Sequence, residues 1–406
     1  MPPVLLLAAL LALIGFLYIP TVAWSFVDWS GWALAELHVN YAAGPVRRGL
    51  PGEIAWQVAS LGIPTRDFFA AVFIALAALQ AIAFAALAWP LATRHKPLFV
   101  ALMLSPALLL FPAYDTGAWL RKDMLLALGI LLHTLAVRRV LTGRLDPARY
   151  RRLVCLALAP ALLLVTLAHE LQIVMLPLHM ALVLLTTNAG VAMRPQAAPP
   201  PTAAMLSLAT VAAVGTIFVV AFRGDAVMAQ VICDSWQNVA PIDCLAVRAI
   251  GMEFSAVIDF DLKILNNRLA LVLFALAFAL SLLPAVALSL AGDRTGRALL
   301  PLPLMALGLL PLLTMFVLGW DWGRWIHLIA LSAVALLLAT PFPPAAPGRT
   351  LSMSASSMRR LAAGVIAWVL ALAYVGGWRL RHCCEIANLD AGLYPTFVRA
   401  IEIVGR

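Results

Sequence analysis

The chain has 406 residues, 64% of them apolar and 12% charged, with a mean hydropathy of +0.97. A soluble domain is about 45–50% apolar and about 25% charged, so the composition excludes an aqueous enzyme and a disordered chain. The net charge of +9 and pI near 9.8 would suit a nucleic-acid protein, but a chain this apolar excludes that partner and the charge needs another origin.

A helix crosses the hydrocarbon layer with about 20 apolar residues, or as few as roughly 17. Eleven runs meet or approach that length: 3–23, 68–89, 98–113, 124–137, 153–168, 171–188, 203–222, 269–291, 298–318, 325–340 and 361–377. The pattern predicts an all-α polytopic integral membrane protein, a single helical unit over 1–406. Its two long external loops are 24–67 and 223–268, and its external tail is 378–406. The first run has no Lys or Arg before it and is long for a signal h-region, so it reads as an anchored helix despite the faint cleavage pattern Thr21-Val22-Ala23. The third to sixth runs are short, which brings polar residues at their ends to membrane level. Pro90, Pro112, Pro160, Pro177, Pro303 and Pro311 lie in or beside runs and are expected to kink or break helices.

Orientation follows from Lys and Arg, which concentrate in cytoplasmic loops. With the N-terminus inside, the inner segments hold half of the 28 Lys+Arg, six of them between Arg138 and Arg152, but only Asp146 and Asp293 of the 19 Asp+Glu. The +9 is therefore mostly a topology signal, N-in and C-out. All of the 12 Trp except Trp89 and Trp368 fall on the external side. An aromatic interfacial belt accounts for some of these, and stacking on sugar rings is the alternative for Trp119, Trp320 and Trp322.

The external segments carry the chemistry, in chain order. Loop 24–67 holds two acids, Asp28 and Glu36, then Gly44-Pro45-Val46-Arg47-Arg48-Gly49, then an amphipathic stretch over 52–63 that suits a surface helix. Arginine grips phosphate oxygens through two parallel hydrogen bonds; the competing reading of Arg47 and Arg48 is contact with lipid headgroups. The neighbouring glycines would let backbone approach a ligand. The next turn, Tyr114 to Asp123, presents Asp115, Arg121 and Lys122 close to the membrane, where ionisable groups are costly unless paired or functional. Local neutralisation of Arg121 and Lys122 by Asp115 and Asp123 is the plain alternative. His169-Glu170 fills the whole link between two runs and could supply a general base with a carboxylate, or be an interfacial pair. His133 and His179 lie within runs and read as core residues.

Loop 223–268 has mixed polarity suited to a cap, and an oxidising compartment would permit a Cys233–Cys244 disulfide. Gly319 to His327 packs Asp321, Arg324 and three Trp into one turn. A structural Asp321–Arg324 pair competes there with a site wall in which Arg324 faces an anion and Asp321 a hydroxyl. The tail has Cys383-Cys384, which geometry keeps from bonding each other, and an amphipathic stretch around Tyr394 to Val404. The sequence has no CxxC or HExxH pattern, so no protein-held metal is predicted.

Many spans, a long first external loop with a surface helix and a second large external loop resemble bacterial glycan-assembly enzymes. Two groups are similar: GT-C-type glycosyltransferases and the O-antigen polymerase and ligase group. The stretches GPVRRGLPGE and DWGRW resemble arginine-bearing external segments of polysaccharide-locus proteins. The resemblance implies a polyprenyl-(di)phosphate-linked sugar or oligosaccharide donor and a hydroxyl acceptor. It further implies a periplasmic active face on the bacterial inner membrane, with membrane lipids and other polysaccharide-assembly proteins as partners. Arg47, Arg48, Arg121, Lys122 and Arg324 would hold phosphate, and one of Asp28, Glu36, Asp115, His169, Glu170 or Asp321 would take the acceptor proton. The residues specify no cofactor, and a divalent cation on the donor stays open. The rival class is a transporter or flippase for a lipid-linked glycan or small molecule.

Overall fold

The computed structural model describes residues 1–27, 32–193, 201–240, 242, 244–251, 258–259, 261–262, 265–291, 301–319, 321–340, 356–382 and 393–404. Every regular element among the described residues is helical. The chain runs α1 (Pro3–Val27), α2 (Trp32–Glu36), α3 (Gly49–Ser60), α4 (Thr65–Arg94), α5 (Lys96–Met103), α6 (Phe111–Tyr114) and α7 (Asp123–Leu141). There follow α8 (Pro147–Ala168), α9 (Leu171–Met193), α10 (Thr202–Ala221), α11 (Ala226–Ser235), α12 (Cys244–Val247) and α13 (Arg268–Ala291). The last are α14 (Pro301–Leu313), α15 (Met315–Leu318), α16 (Trp322–Ala339), α17 (Ser356–Gly376) and α18 (Leu393–Val404).

Seven of these, α1, α4, α7, α8, α10, α13 and α16, are long and apolar enough to cross a membrane. Their outward faces carry large apolar side chains such as Ile82, Leu156, Ile217 and Leu290. In water such a surface would drive association, and it suits lipid contact. Helix α16 is different. All of its window is buried, and it packs against α4, α7, α13 and α14, so the bundle is built around it.

The expected span 98–113 is not one helix. It is α5, an irregular stretch and the single turn α6. Pro106 and Pro112 lack the N–H needed to continue a helix, and residues 104–114 are buried throughout. Irregular backbone at such depth is tolerated only when protein satisfies its polar groups, and neighbouring helices do so. The Tyr18 hydroxyl donates to the Leu109 carbonyl at 2.6 Å, Thr21 Oγ1 to Ala113 at 3.2 Å, and His327 Nδ1 to Ala107 at 2.9 Å. In α8 a π turn over Val154–Leu158 precedes Pro160, where a wider turn accommodates the missing N–H.

The described parts of the segments 24–67 and 223–268 pack on each other. A second apolar core gathers Leu37, Phe69, Phe73, Trp119, Ile232 and Trp236 among others. Trp236 Nε1 donates to the His38 carbonyl at 2.9 Å and its ring meets His38 edge-on at 4.7 Å. Asn40 Nδ2 donates to Ser235 Oγ at 3.0 Å. Cys233 and Cys244 are joined, with Cα atoms 5.8 Å apart. The segment after α10 is thus a brace holding α2 in place. The expected surface helix is α3, starting a little before the amphipathic stretch, with Ile54 and Leu61 exposed.

Candidate functional site

Four turns at one end of the bundle bring their charges together. They are the end of α2 with the turn before α3, the link before α7, the link between α8 and α9, and the start of α16. At the centre is Glu36, 5% exposed. Its Oε1 accepts from Arg48 at 2.7 Å and lies 3.2 Å from Lys122 Nζ, while Oε2 accepts from Arg121 at 3.2 Å. Arg48 also grips Glu170, its Nε lying 2.8 Å from both carboxylate oxygens, and so bridges the two acids. Arg47 reaches Glu170 Oε1 at 3.2 Å and donates from Nε to the Arg223 carbonyl at 2.9 Å.

A second half of the cluster is built on Asp123. Its Oδ1 is 3.1 Å from His169 Nε2 and its Oδ2 accepts from Arg324 Nε at 2.5 Å. Arg324 also pairs with Asp321, and its guanidinium lies 5.1 Å from the centre of the Trp325 ring. Three of the acids share a position in their helices: Asp123 opens α7, Glu170 directly precedes α9, and Asp321 directly precedes α16. Helix N-termini present unpaired N–H groups and the positive end of the macrodipole, which favours carboxylates there.

The cluster holds four carboxylates and five Lys or Arg cations, one surplus positive charge before His169 is counted. The deep members (Glu36, Arg121, Lys122, Asp123, His169 and Arg324) are buried, while Arg47, Arg48, Glu170 and Asp321 form a partly exposed edge. Burial alone would raise the Glu36 carboxyl, but Lys122, Arg48 and Arg121 outweigh it and hold Glu36 well below the ordinary carboxylate range. Glu170 is treated likewise, with burial opposed chiefly by Arg48. For Lys122 burial dominates over the attraction of Glu36, and its ammonium is pushed down to about 8.

The turns are strained where they supply cations. Arg48 has φ 66° and Leu120 has φ 59°, the two positive-φ non-glycine residues among those described. Left-handed backbone costs an L-residue about 1–2 kcal/mol, and such strain tends to mark functional sites. Gly49 and Gly52 serve packing and not a ligand: a Cβ at Gly49 would meet the Tyr41 ring, and one at Gly52 the Val39 backbone.

His169 has a polarity fixed by its surroundings. An ionised Asp123 can only accept, so the imidazole donates Nε2–H to it; in the neutral ring that makes Nδ1 the lone-pair nitrogen. Nδ1 is buried without a hydrogen-bond partner among the described residues, 3.8 Å from Glu170 Oε2. One turn on, Gln172 is fully buried with both amide atoms unpartnered among the described residues.

Of the residues singled out from sequence, Glu36, Arg47, Arg48, Arg121, Lys122, His169, Glu170, Asp321 and Arg324 converge. Asp28 and Trp320, with Cys383 and Cys384, lie outside the described residues. Asp115 is in a separate pair, accepting from Gly117 N–H at 2.9 Å and from His382 N–H and Nδ1 at 2.7 and 2.9 Å. The local pairing of Asp115 and Asp123 with Arg121 and Lys122 is therefore replaced: the cations go to Glu36, and the acids go to His382 and Arg324. Trp119 is fully buried edge-on against Tyr18 and Phe73, and Trp322 packs against Phe274 and Phe316. Neither ring face is open. Asp123 was not singled out as a site residue; its signal was an acid opening a short span, where charge is costly. No protein-family model, curated protein or solved structure matches the chain.

Proposed function

We propose that the protein transfers or polymerises glycan from a polyprenyl-(di)phosphate-linked donor to a hydroxyl acceptor at the periplasmic face of a bacterial inner membrane. In this reading the chain crosses eleven times, N-in and C-out, with α5 to α6 counted as one broken crossing and the shorter apolar helices as others. The arginine-rich turn 138–152 lies at the opposite end of α7 from Asp123, which supports putting the charged cluster outside.

One observation carries the proposal: a His–Asp dyad is held within a cation-rich cluster at the end of an apolar bundle. Asp123 orients His169, whose Nδ1 takes the proton as the acceptor oxygen attacks the anomeric carbon. The bond from that carbon to the phosphate oxygen breaks, and Arg47 and Arg48 stabilise the departing phosphate by exchanging part of their contact with Glu170. A positioned base contributes about 10²–10⁴-fold, and each preorganised charge stabiliser about 10²–10³-fold. The test supplies purified protein with an undecaprenyl-phosphate-linked sugar and scores product. His169→Gln and Arg48→Gln should each cut turnover at least about 100-fold; wild-type rates in either correctly folded variant would sink the reading.

A second reading, transport of a lipid-linked glycan or small molecule, is favoured by a buried polar chain: His133 Nδ1 lies 2.9 Å from His179 Nδ1, and His133 Nε2 lies 2.7 Å from the Tyr150 hydroxyl. Ionisable groups inside spans often mark transport paths. Uptake into liposomes without covalent product would favour it.

A further inference from the structure

Away from the charged cluster, the interior of the bundle holds a line of polar side chains that glycan transfer does not use. His133 on α7, Tyr150 in the first turn of α8 and His179 on α9 are 2%, 1% and 0% exposed. His133 Nε2 lies 2.7 Å from the Tyr150 hydroxyl, and His133 Nδ1 lies 2.9 Å from His179 Nδ1. The two imidazoles are 13° from parallel with centres 5.2 Å apart, so they meet nitrogen to nitrogen at their edges. His179 Nε2, at the far end of this chain, is buried without a hydrogen-bond partner among the described residues, and so is Thr134 Oγ1, next to His133 in sequence. Gln172 comes seven residues before His179, about two helical turns nearer the charged cluster and on the same face of α9. Its amide nitrogen and oxygen are likewise buried and unpartnered among the described residues.

A neutral imidazole donates from one nitrogen and accepts at the other, which leaves the chain two arrangements. In the first, the Tyr150 hydroxyl donates to His133 Nε2, His133 Nδ1–H donates to His179 Nδ1, and His179 keeps its hydrogen on Nε2. In the second, each hydrogen has moved one place and His179 Nε2 is bare. We infer that Tyr150, His133 and His179 relay protons through the bundle, so that the protein moves protons between the two faces of the membrane. A proton reaching the Tyr150 oxygen sends the phenolic proton to His133 Nε2. His133 passes its Nδ1 proton to His179 Nδ1, and His179 releases its own from Nε2. One proton is taken up and one released. The first arrangement returns when the rings turn over, which makes a slow cycle rather than an open channel. The inner end of the relay, Tyr150, follows the arginine-rich turn that begins at Arg138. At the outer end, Gln172 and the orphaned Nδ1 of His169 lead from His179 to the charged cluster. Buried polar atoms without protein partners are where internal waters sit, and waters there complete the outer half of the path. Ionisable groups inside spans mark proton relays. The inference deepens the transport reading, on which it rests, by naming the proton as the ion moved.

The test reconstitutes the full chain in liposomes loaded with a pH-sensitive dye, sets the membrane potential with a potassium gradient and valinomycin, and follows proton entry with no glycan present. Wild type should admit protons faster than protein-free liposomes. His133→Gln keeps a donor and an acceptor but has no second ring nitrogen to pass the proton on, so its rate should fall to the protein-free value. Tyr150→Phe removes the inner end with little change in volume and should do the same, which keeps the test decisive if one variant fails to fold. Leu132→Ala, on an exposed side of α7, should leave the rate unchanged. A wild-type rate equal to that of protein-free liposomes, or equal rates in wild type and correctly folded His133→Gln, would overturn the relay. The same liposomes are scored for movement of an undecaprenyl-phosphate-linked sugar between leaflets. Proton entry that depends on His133 without any such movement would keep the relay and remove lipid-linked glycan as the cargo. Glycan movement undiminished in His133→Gln would keep the transport reading and overturn the relay as its driver.

Discussion

Removing the charge of Glu36 is the sharpest test of the cluster as a cooperative unit. Glu36→Gln keeps the shape but deletes the one carboxylate shared by Arg48, Arg121 and Lys122. Arg48 retains Glu170 and Arg121 retains its bond from Nε to the Gly117 carbonyl at 3.0 Å. Lys122, 2% exposed, retains no ion pair among the described residues. Stripping one partner from a buried ion pair costs about 3–5 kcal/mol, because the other charge stays buried and uncompensated. That is roughly 10²–10⁴-fold in the folding equilibrium. The measurement is helix loss on dodecyl sulfate titration of detergent-solubilised protein, with Glu170→Gln as the milder comparison, since Glu170 sits at the open edge. The penalty is a stranded charge, so Lys122→Met should destabilise the wild type yet restore about 1 kcal/mol or more to Glu36→Gln, a non-additive cycle. A Glu36→Gln protein as stable as wild type, or a strictly additive cycle, would refute the account.

Three other outcomes follow from the same geometry. Lys122 loses its proton near pH 8, so binding of undecaprenyl phosphate in the proposed site should fall as pH rises through about 8, and Lys122→Arg should flatten that limb. Stability should move the opposite way, because the unfolded lysine, titrating near 10.5, binds more protons than the folded one between about 8 and 10.5; a flat binding profile from pH 7 to 9 counts against Lys122. Gly323→Ala would drive a Cβ into the Arg381 carbonyl, beside the Gly323 N–H bond to His382 at 3.1 Å. A cost of about 1–3 kcal/mol and faster tryptic cleavage after Arg379 and Arg381 are expected, with unchanged cleavage as the contrary result. Cys233 and Cys244 are 11 apart in sequence, so Cys233→Ser should cost about 3 kcal/mol by loop entropy, read on the same titration; no loss would mean the brace does not need its bond.

The bundle and the grouping of chemistry on one face are legible in the sequence, because apolar runs and turn residues are local signals. The turns Gly44–Gly49, Arg121–Asp123, His169–Glu170 and Asp321–Arg324 were all visible as charged links between runs. Partner choice was not. Asp123 stands next to Lys122 in sequence but opens a helix whose start meets that of α16, so it faces Arg324, and Asp115 faces His382 from the tail. Which charges meet depends on how helix ends approach in space, and no spacing rule encodes that. Pro112 signals a kink or break at the end of 98–113, but an irregular stretch beginning after Met103 is not signalled, for a related reason. An apolar run looks the same whether its carbonyls bond along a helix or to Tyr18, Thr21 and His327 on neighbours.

The burial of α16 bears on how the protein is made. Among the seven long apolar helices it has the lowest mean hydropathy, 1.6, and it meets no open surface. It is therefore poorly suited to wait alone in lipid. Four neighbours, α4, α7, α13 and α14, precede it in the chain and can form its socket before it emerges from the ribosome. Its arrival brings Arg324 to Asp123, so the last charge of the cluster is delivered by the last helix to enter the socket. Biogenesis and completion of the site are then one event, and chains stalled before Asp321 would carry Asp123 without its arginine.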